Sequence, residues 1–193
     1  ISIRHNGQVI FQANHGYADW ANKRRIDNQT RFGIASGTKF LTALGIMRLV
    51  ETGKCQLDDS IFKYINKSFS AYDQGITLRH LLSHMSGIPD YYDKDRVGKY
   101  GETYLKKPWY AFKKPRDYLD IIPNKQGAFK PGHGFDYNNT GFILLAFIIE
   151  SLTGDYQRWI QDQVLDPAGM TSSGAFQLNA LPQNTALGYI HIS

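Results

Sequence analysis

The sequence predicts a mixed α+β fold, because strand-like segments lie near both ends of the chain and helices lie between them. Near the start, Asn6 and Gly7 separate two short runs that mix apolar and polar residues, the usual signal of a two-residue hairpin turn. Near the end, residues 188–193 form another short strand-like run. We therefore expect an antiparallel hairpin first, a helical middle and a strand at the end.

Apolar periodicity and end signals predict four helices in the middle of the chain. The first begins at Ser36, and its residues are apolar on nearly every side, so we expect it to be buried. Gly53 is placed to end this helix at about Thr52. The other predicted helices run over Thr77–Met85, Thr140–Leu152 and Tyr156–Val164. Residues 90–123 have no clean period and predict either surface helices and loops or the lid or wall of a binding cleft.

Composition limits the classes of function. With 193 residues, 42% hydrophobic and 20% charged, the chain is ordinary for a globular protein, and we expect residues 1–193 to form a single domain that is incomplete at both ends. The net charge of +5 is not concentrated in a basic block, so we expect no nucleic-acid binding. The longest apolar run, Phe142–Ile149, is far shorter than the ~20 residues that span a bilayer.

Cysteine and histidine favour structural roles. Cys55 is the one cysteine, which excludes an intramolecular disulfide, and we expect it to be a structural thiol. His80 and His84 have a spacing that zinc sites use, but Leu81 stands where a zinc protease would have Glu. We therefore expect a structural helix here and a functional site without metal or other cofactor.

The strongest chemical signal is a Ser-x-x-Lys string at Ser36 and Lys39, placed at the start of the first predicted helix. Side chains three residues apart share a face of a helix, so the lysine lies beside the serine hydroxyl. A serine hydroxyl is a poor nucleophile until a neighbouring base takes its proton. The string alone is weak evidence, because Ser60 and Lys63 repeat it.

A second chemical signal is Tyr137 followed at the next position but one by Asn139, directly before a predicted buried helix. A phenol there can relay a proton, and the amide can orient both a substrate and a lysine. This signal is also repeated, at Tyr64 and Asn66. A packing tyrosine with a helix-capping asparagine is the competing interpretation.

Two weak motifs in chain order carry more weight than either alone. With these motifs and their surroundings, the chain resembles the serine β-lactamase and penicillin-binding protein family, especially its class C-like and esterase-like branch. The segments that carry the resemblance are Phe32–Lys39, Gly53–Asp59, Ile76–Ile88, Phe129–Gly132, Tyr137–Phe142 and Asp166–Met170. The most distinctive of them is Ile76–Ile88.

The resemblance implies a serine β-lactamase-like fold, with a helical part and an antiparallel sheet, and hydrolysis through a covalent acyl-enzyme. Ser36 would be the nucleophile, with Lys39 and Tyr137 as its proton-transfer partners in an order that stays open. Asn139 would be a polar substrate contact. The substrate would be a β-lactam, a D-amino-acid peptide of the peptidoglycan type or a small ester. A sensor or scaffold with little turnover would carry the same motifs, and chance motifs on an unrelated α+β domain are a third reading.

The resemblance also implies a third motif, a Lys or His followed by any residue and Gly, on a late strand opposite the nucleophile. Strings of this type occur here at His5, Lys99, Lys125 and Lys130, all before Tyr137 and therefore in the wrong place. We expect the C-terminal part of the sheet to be missing from residues 1–193. Because the family is commonly exported or membrane-anchored, we expect an exported protein with any anchor outside these residues.

Overall fold

The computed structural model describes residues 1–65, 69–92 and 107–189. The chain divides into two compact units, one made of Ile1–Ala35 with Leu178–Ser193 and the other of Ser36–Gln177. The described elements are helices and small antiparallel sheets, so the predicted mixed α/β fold class is confirmed.

The first unit contains the predicted hairpin. Strands β1 (Ser2–His5) and β2 (Gln8–Gln12) pair antiparallel. The turn between them has positive φ at both Asn6 (48°) and Gly7 (79°), as the Asn-Gly signal requires. A second small sheet pairs β3 (Tyr17–Asp19) with β4 (Arg24–Arg25). The strand predicted at residues 188–193 is not formed at 188 and 189, and the remaining four residues lie outside the described ones.

The second unit is helical and contains the large hydrophobic core. Its α-helices are α1 (Thr38–Glu51), α2 (Leu78–Leu82), α3 (Asn139–Thr153) and α4 (Tyr156–Ile160). Short 3₁₀ helices cover Ala35–Gly37, Ile61–Lys63, Trp109–Ala111 and Pro115–Ile121, and a π-helix, Gln161–Leu165, follows α4. The core includes the fully buried Ile46, Leu49, Leu144, Leu145, Ile148 and Ile149, which come from α1 and α3. The described residues include no helix with the length and apolarity to cross a membrane.

Helix α1 was predicted to be buried because it is apolar on nearly every side, but it is fully buried only along one stripe. Its buried residues are Thr42, Gly45, Ile46 and Leu49, which recur at the spacing of one helix face. Phe40 and Met47 are apolar but 66% and 44% exposed. The buried stripe packs closely on α4 at Gly45. A Cβ added there would lie only 2.6 Å from Ile160 Cδ1, so the absence of a side chain allows the close approach.

Helix α2 is shorter than predicted. Thr77 caps its first turn as expected, with the His80 side chain completing a reciprocal capping box. The helix ends at Leu82 instead of Met85, because His84 adopts a left-handed conformation with φ of 59° and turns the chain. Gly87, with φ of 72°, then passes so close to the Phe129 carbonyl that a Cβ would lie 2.2 Å from its oxygen.

The segment that leads into α3, residues 132–136, is hydrogen-bonded to the chain just after α2. The Gly132 N–H donates to the Met85 carbonyl (2.9 Å), and the Asp136 N–H donates to the His84 carbonyl (3.0 Å). The Asn138 side chain then caps α3 by accepting from the Gly141 N–H at 2.8 Å. The path of residues 84–88 therefore determines where Tyr137 and Asn139 lie.

Two predicted features of the second unit need correction or lie partly outside the described residues. The helix predicted over Tyr156–Val164 is α-helical only to Ile160 and continues as the π-helix. Within residues 90–123, positions 93–106 lie outside the described residues, and Pro115–Ile121 forms a 3₁₀ helix. That helix is fixed to α3 by Arg116, whose Nε donates to the buried carboxylate of Glu150 at 2.6 Å.

Candidate active site

Ser36 and Lys39 lie side by side at the start of α1. Ser36 is exposed and belongs to the 3₁₀ turn Ala35–Gly37, directly before α1. Ala35 has φ of 44°, an uncommon value for a residue with a side chain. Lys39 is half-buried in the first turn of α1, and its Nζ lies 3.3 Å from Ser36 Oγ. The spacing of the string therefore brings the two side chains into hydrogen-bonding contact, as the sequence predicts.

Tyr137 and Asn139 reach the same lysine from the start of α3. Lys39 Nζ donates to Asn139 Oδ1 at 2.8 Å. The Tyr137 side chain lies beside those of Lys39 and Ser36, and both of them lower the pKa of its phenol. The structure thus brings together all four residues that the sequence singled out, although Lys39 and Asn139 are 100 positions apart.

The electrostatics of this cluster favour ionisation of the phenol. Partial burial raises the pKa of Tyr137, but the hydrogen bonds from Lys39 and Ser36 and the positive charge of Lys39 lower it by more, so the net pKa is below its ordinary value. Lys39 Nζ also lies 4.8 Å from the centre of the Tyr137 ring and 5.8 Å from that of Phe142. These distances are within the range of cation–π attraction.

Asp90 is a site residue that sequence reasoning missed. Its Oδ2 accepts hydrogen bonds from both the backbone N–H and the side-chain Nδ2 of Asn139, each at 2.9 Å. Its Oδ1 accepts from the backbone N–H of Thr140 at 3.2 Å. A carboxylate is a common partner for the start of a helix, but Asp90 lies 49 positions away from Asn139 and carries no local signal of that role.

His84 was expected in a structural helix, and it lies just past the end of α2 and against the site. Its Nδ1 accepts the backbone N–H of Asn138 at 3.0 Å, and its ring centre is 4.6 Å from that of Tyr137. Burial first, and then the positive charge of Lys39, lower the pKa of His84 below its ordinary value. The neutral imidazole is therefore the favoured form, and only this form can accept the Asn138 N–H at Nδ1.

Comparison with known proteins identifies the family. The family model described as Beta-lactamase matches residues 1–190. The chain belongs to the beta-lactamase family. Among curated relatives in this family, Penicillin-binding protein 4* of Bacillus subtilis is 32% identical over 191 residues. The match covers 96% of this chain and 40% of that protein.

Solved structures of similar proteins agree with this membership. A penicillin-binding protein from Bacillus halodurans superposes with a TM-score of 0.86 at 39% identity, over 94% of this chain and 55% of that one. The D-amino acid amidase of Ochrobactrum anthropi, solved with L-phenylalanine amide, gives a TM-score of 0.69 at 29% identity, over 91% of this chain and 47% of that one. The chain therefore spans about half the length of the relatives it matches.

Among the residues that the structure describes, none of the candidate strings for the third motif expected from the resemblance lies wholly on a strand, because His5 is the last residue of β1 and the turn follows it at once. His5, Asn6 and Gly7 lie at the hairpin turn. The strings that begin at Lys125 and Lys130 lie in irregular segments before Tyr137. The string at Lys99 lies outside the described residues.

The remaining candidate groups have structural surroundings. Cys55 is buried in the core, and this burial, with the nearby charge of Asp59 as a second cause, raises the pKa of its thiol. His80 is engaged in the α2 capping box. Within the described parts of the chain, the structure contains no cluster of three or more potential metal ligands.

Proposed function

We propose that this chain carries the nucleophilic centre of a serine hydrolase that works through an acyl-enzyme on Ser36. The observation that carries the proposal is the position of Lys39 Nζ, 3.3 Å from Ser36 Oγ and 2.8 Å from Asn139 Oδ1. A serine nucleophile needs such surroundings, in which its hydroxyl contacts a polar group that other side chains hold in place. The names of the relatives, penicillin-binding proteins and an amidase, support the same class of reaction.

In the proposed reaction, Ser36 Oγ attacks the carbonyl carbon of the substrate while its proton passes to a base. The lowered pKa of Tyr137 favours its phenolate as that base, with the Lys39 ammonium stabilising the negative charge. The carbon–nitrogen or carbon–oxygen bond then breaks, and the leaving group takes the proton. Water hydrolyses the resulting ester and regenerates the Ser36 hydroxyl. The proposed substrates are a β-lactam, a D-amino-acid peptide or amide, and a small ester.

A sensor or scaffold that is acylated but scarcely turns over is the alternative within the same family. It would use Ser36 and Lys39 in the same way for the first step and differ only in the slow release of the acyl group. Turnover therefore separates the two, whereas acylation by itself does not.

The proposal is tested by labelling the chain with a fluorophosphonate and with a penicillin and measuring the intact mass. We expect a single adduct, located on Ser36 by peptide mapping. Ser36→Ala is expected to abolish the adduct, because it removes the only atom proposed to form the new bond. Ser60→Ala is the matched control and is expected to label like the wild type.

Release of the acyl group is then followed with a penicillin, a D-amino acid amide and a nitrophenyl ester. More than one product molecule per chain supports the hydrolase, and a stable adduct with no release supports the sensor. An adduct that persists in Ser36→Ala, or no adduct with any of these reagents, would overturn the assignment of Ser36 as nucleophile.

A further inference from the structure

Asp90 is connected to the proposed nucleophilic centre through one side chain. Its Oδ2 accepts from the backbone N–H and from the side-chain Nδ2 of Asn139, both at 2.9 Å. Its Oδ1 accepts from the backbone N–H and the hydroxyl of Thr140, at 3.2 and 3.3 Å. Asn139, in turn, accepts from Lys39 Nζ at 2.8 Å. Asp90 therefore acts on Lys39 through the carboxamide between them.

The chemistry of Asp90 determines which way this carboxamide faces. An ionised carboxylate only accepts hydrogen bonds, so the nitrogen of the Asn139 amide must face Asp90. The oxygen must then face Lys39, whose ammonium only donates. If the amide were flipped, its oxygen would face the carboxylate of Asp90, and its nitrogen would face the ammonium of Lys39. Neither pair could form a hydrogen bond.

Capping of α3 does not by itself explain the hydrogen bond between Asp90 and the side chain of Asn139. Asn138 already supplies the capping oxygen, which accepts from the Gly141 N–H at 2.8 Å. The bonds of Asp90 to the backbone of residues 139 and 140 add to that cap. Its bond to the Nδ2 atom of Asn139 satisfies no backbone group, and its direct effect is on the direction of the amide.

We propose that Asp90 is a positioning residue that holds the Asn139 carboxamide with its oxygen towards Lys39, and so keeps Lys39 Nζ beside Ser36. The inference rests on the proposed function for its effect on chemistry, while the orientation of the amide is a property of the folded chain. Asp90 contacts neither Ser36 nor Lys39 in the described hydrogen bonds, so its contact with them passes through Asn139. Its charge also acts directly on Tyr137, whose pKa it raises.

A double-mutant cycle tests this route. Asp90→Ala is expected to slow fluorophosphonate labelling of Ser36 by about 10- to 100-fold, because small displacements of a reacting group have effects of this size. In the Asn139→Ala background the same change is expected to alter the rate by less than about twofold, because residues that act through one another are not additive. Asp90→Asn keeps an acceptor oxygen and is expected to lose less than Asp90→Ala. Additive effects of the two alanine variants would overturn the proposal.

Thr140→Val is the structural control. It removes the hydroxyl that contacts Asp90 and that accepts the Tyr91 N–H at 2.8 Å, but it leaves the Asn139 side chain unchanged. We expect it to lower the stability of the chain while labelling stays within about twofold of the wild type, as for a residue outside the reacting cluster. A loss of labelling equal to that of Asp90→Ala would mean that weakening the cap alone accounts for the effect of Asp90.

The orientation is also measurable without any reaction. In ¹⁵N-edited NMR spectra, the Asn139 side-chain amide is identified by its absence in Asn139→Ala. We expect its protons to be shifted and protected from exchange in the wild type and to resemble those of an exposed asparagine in Asp90→Ala. Exposed-like values in the wild type would overturn the proposal. Protected values with no Ser36 adduct would instead contradict the proposed function and leave the role of Asp90 in orientation standing.

Discussion

The second unit contains the Ser-x-x-Lys string twice, and the two copies have different surroundings. Lys39 contacts Ser36 Oγ and the neutral amide oxygen of Asn139. Lys63 instead forms an ion pair with Asp59 at 3.1 Å, within its own turn of chain. Ser60 accepts the Phe62 N–H and caps a 3₁₀ helix. The same spacing therefore places the serine beside a lysine that a neutral amide holds in one place, and in a capped turn in the other.

The tyrosines near the two copies have pKa values that are shifted in opposite directions. Tyr137 lies beside Lys39 and Ser36, and its pKa is lowered despite some burial. Tyr64 donates its phenol proton to the carboxylate of Asp59. Burial first, and then this hydrogen bond, raise the pKa of Tyr64. What distinguishes the copies is therefore the charge of the third group that the fold brings to them.

The largest expected difference is in the effect of removing each lysine. Lys39→Ala is expected to slow labelling of Ser36 by a fluorophosphonate by about 10²- to 10⁴-fold, the usual range for losing a proton-transfer partner. Lys63→Ala is the matched control and is expected to change the rate by less than about twofold, because Lys63 is exposed and contacts Asp59 instead of Ser36. The rates are measured by intact mass at several reagent concentrations. Equal rates in the two variants would remove the distinction between the copies.

The sequence predicted the local parts of this site and missed the distant ones. The contact between Ser36 and Lys39 follows from helical spacing, and the hairpin follows from Asn6 and Gly7, because both depend on neighbouring residues. Asp90 and His84 were not recognised as site residues, because their bonds to Asn139 and Asn138 span 49 and 54 positions.

Burial was also predicted less well than helix position. The apolar content of α1 predicted a buried helix, yet Phe40 is 66% exposed. The sequence of a helix shows which of its residues are apolar. Their exposure depends on which other elements pack against them in the folded chain. The end of α1 near Gly53 and the bounds of α3 near Thr140 and Leu152 were predicted well, because the signals for helix ends act within a few positions.

The next difference concerns the pH at which the two tyrosines ionise. Ultraviolet absorbance of tyrosinate should show that Tyr137→Phe removes a group that ionises below the ordinary pKa of tyrosine, and Tyr64→Phe one that ionises above it. Hydrogen bonds from Lys39 and Ser36 are the cause in the first case. Burial and the bond to Asp59 are the causes in the second. Indistinguishable titrations of the two variants would show that the two surroundings do not differ electrostatically.

The two shifts also have opposite consequences for stability. Since the pKa of Tyr137 is lowered in the folded chain, the unfolded chain binds more protons between that pKa and the ordinary value, and the contribution of Tyr137 to stability rises with pH there. Since the pKa of Tyr64 is raised, its contribution is complete below the ordinary value and is lost as pH rises above it. Urea unfolding at alkaline pH should therefore separate the two phenylalanine variants.

The smallest expected difference is in stability at neutral pH. Here the substitution in the second copy, Ser60→Ala, is expected to have the larger effect. Ser60→Ala removes a capping bond of 3.4 Å, and we expect the free energy of unfolding to fall by about 0.5 kcal/mol, the low end for a helix cap. Ser36 is exposed and its hydroxyl caps no helix, so Ser36→Ala is expected to change stability by less than that. Urea unfolding measures both changes. Removal of the proposed nucleophile, Ser36, should abolish labelling and leave stability unchanged. Removal of the capping residue, Ser60, should lower stability and leave labelling unchanged. If Ser36→Ala proved the more destabilising of the two, Ser36 would have a structural role that its exposure and contacts do not explain.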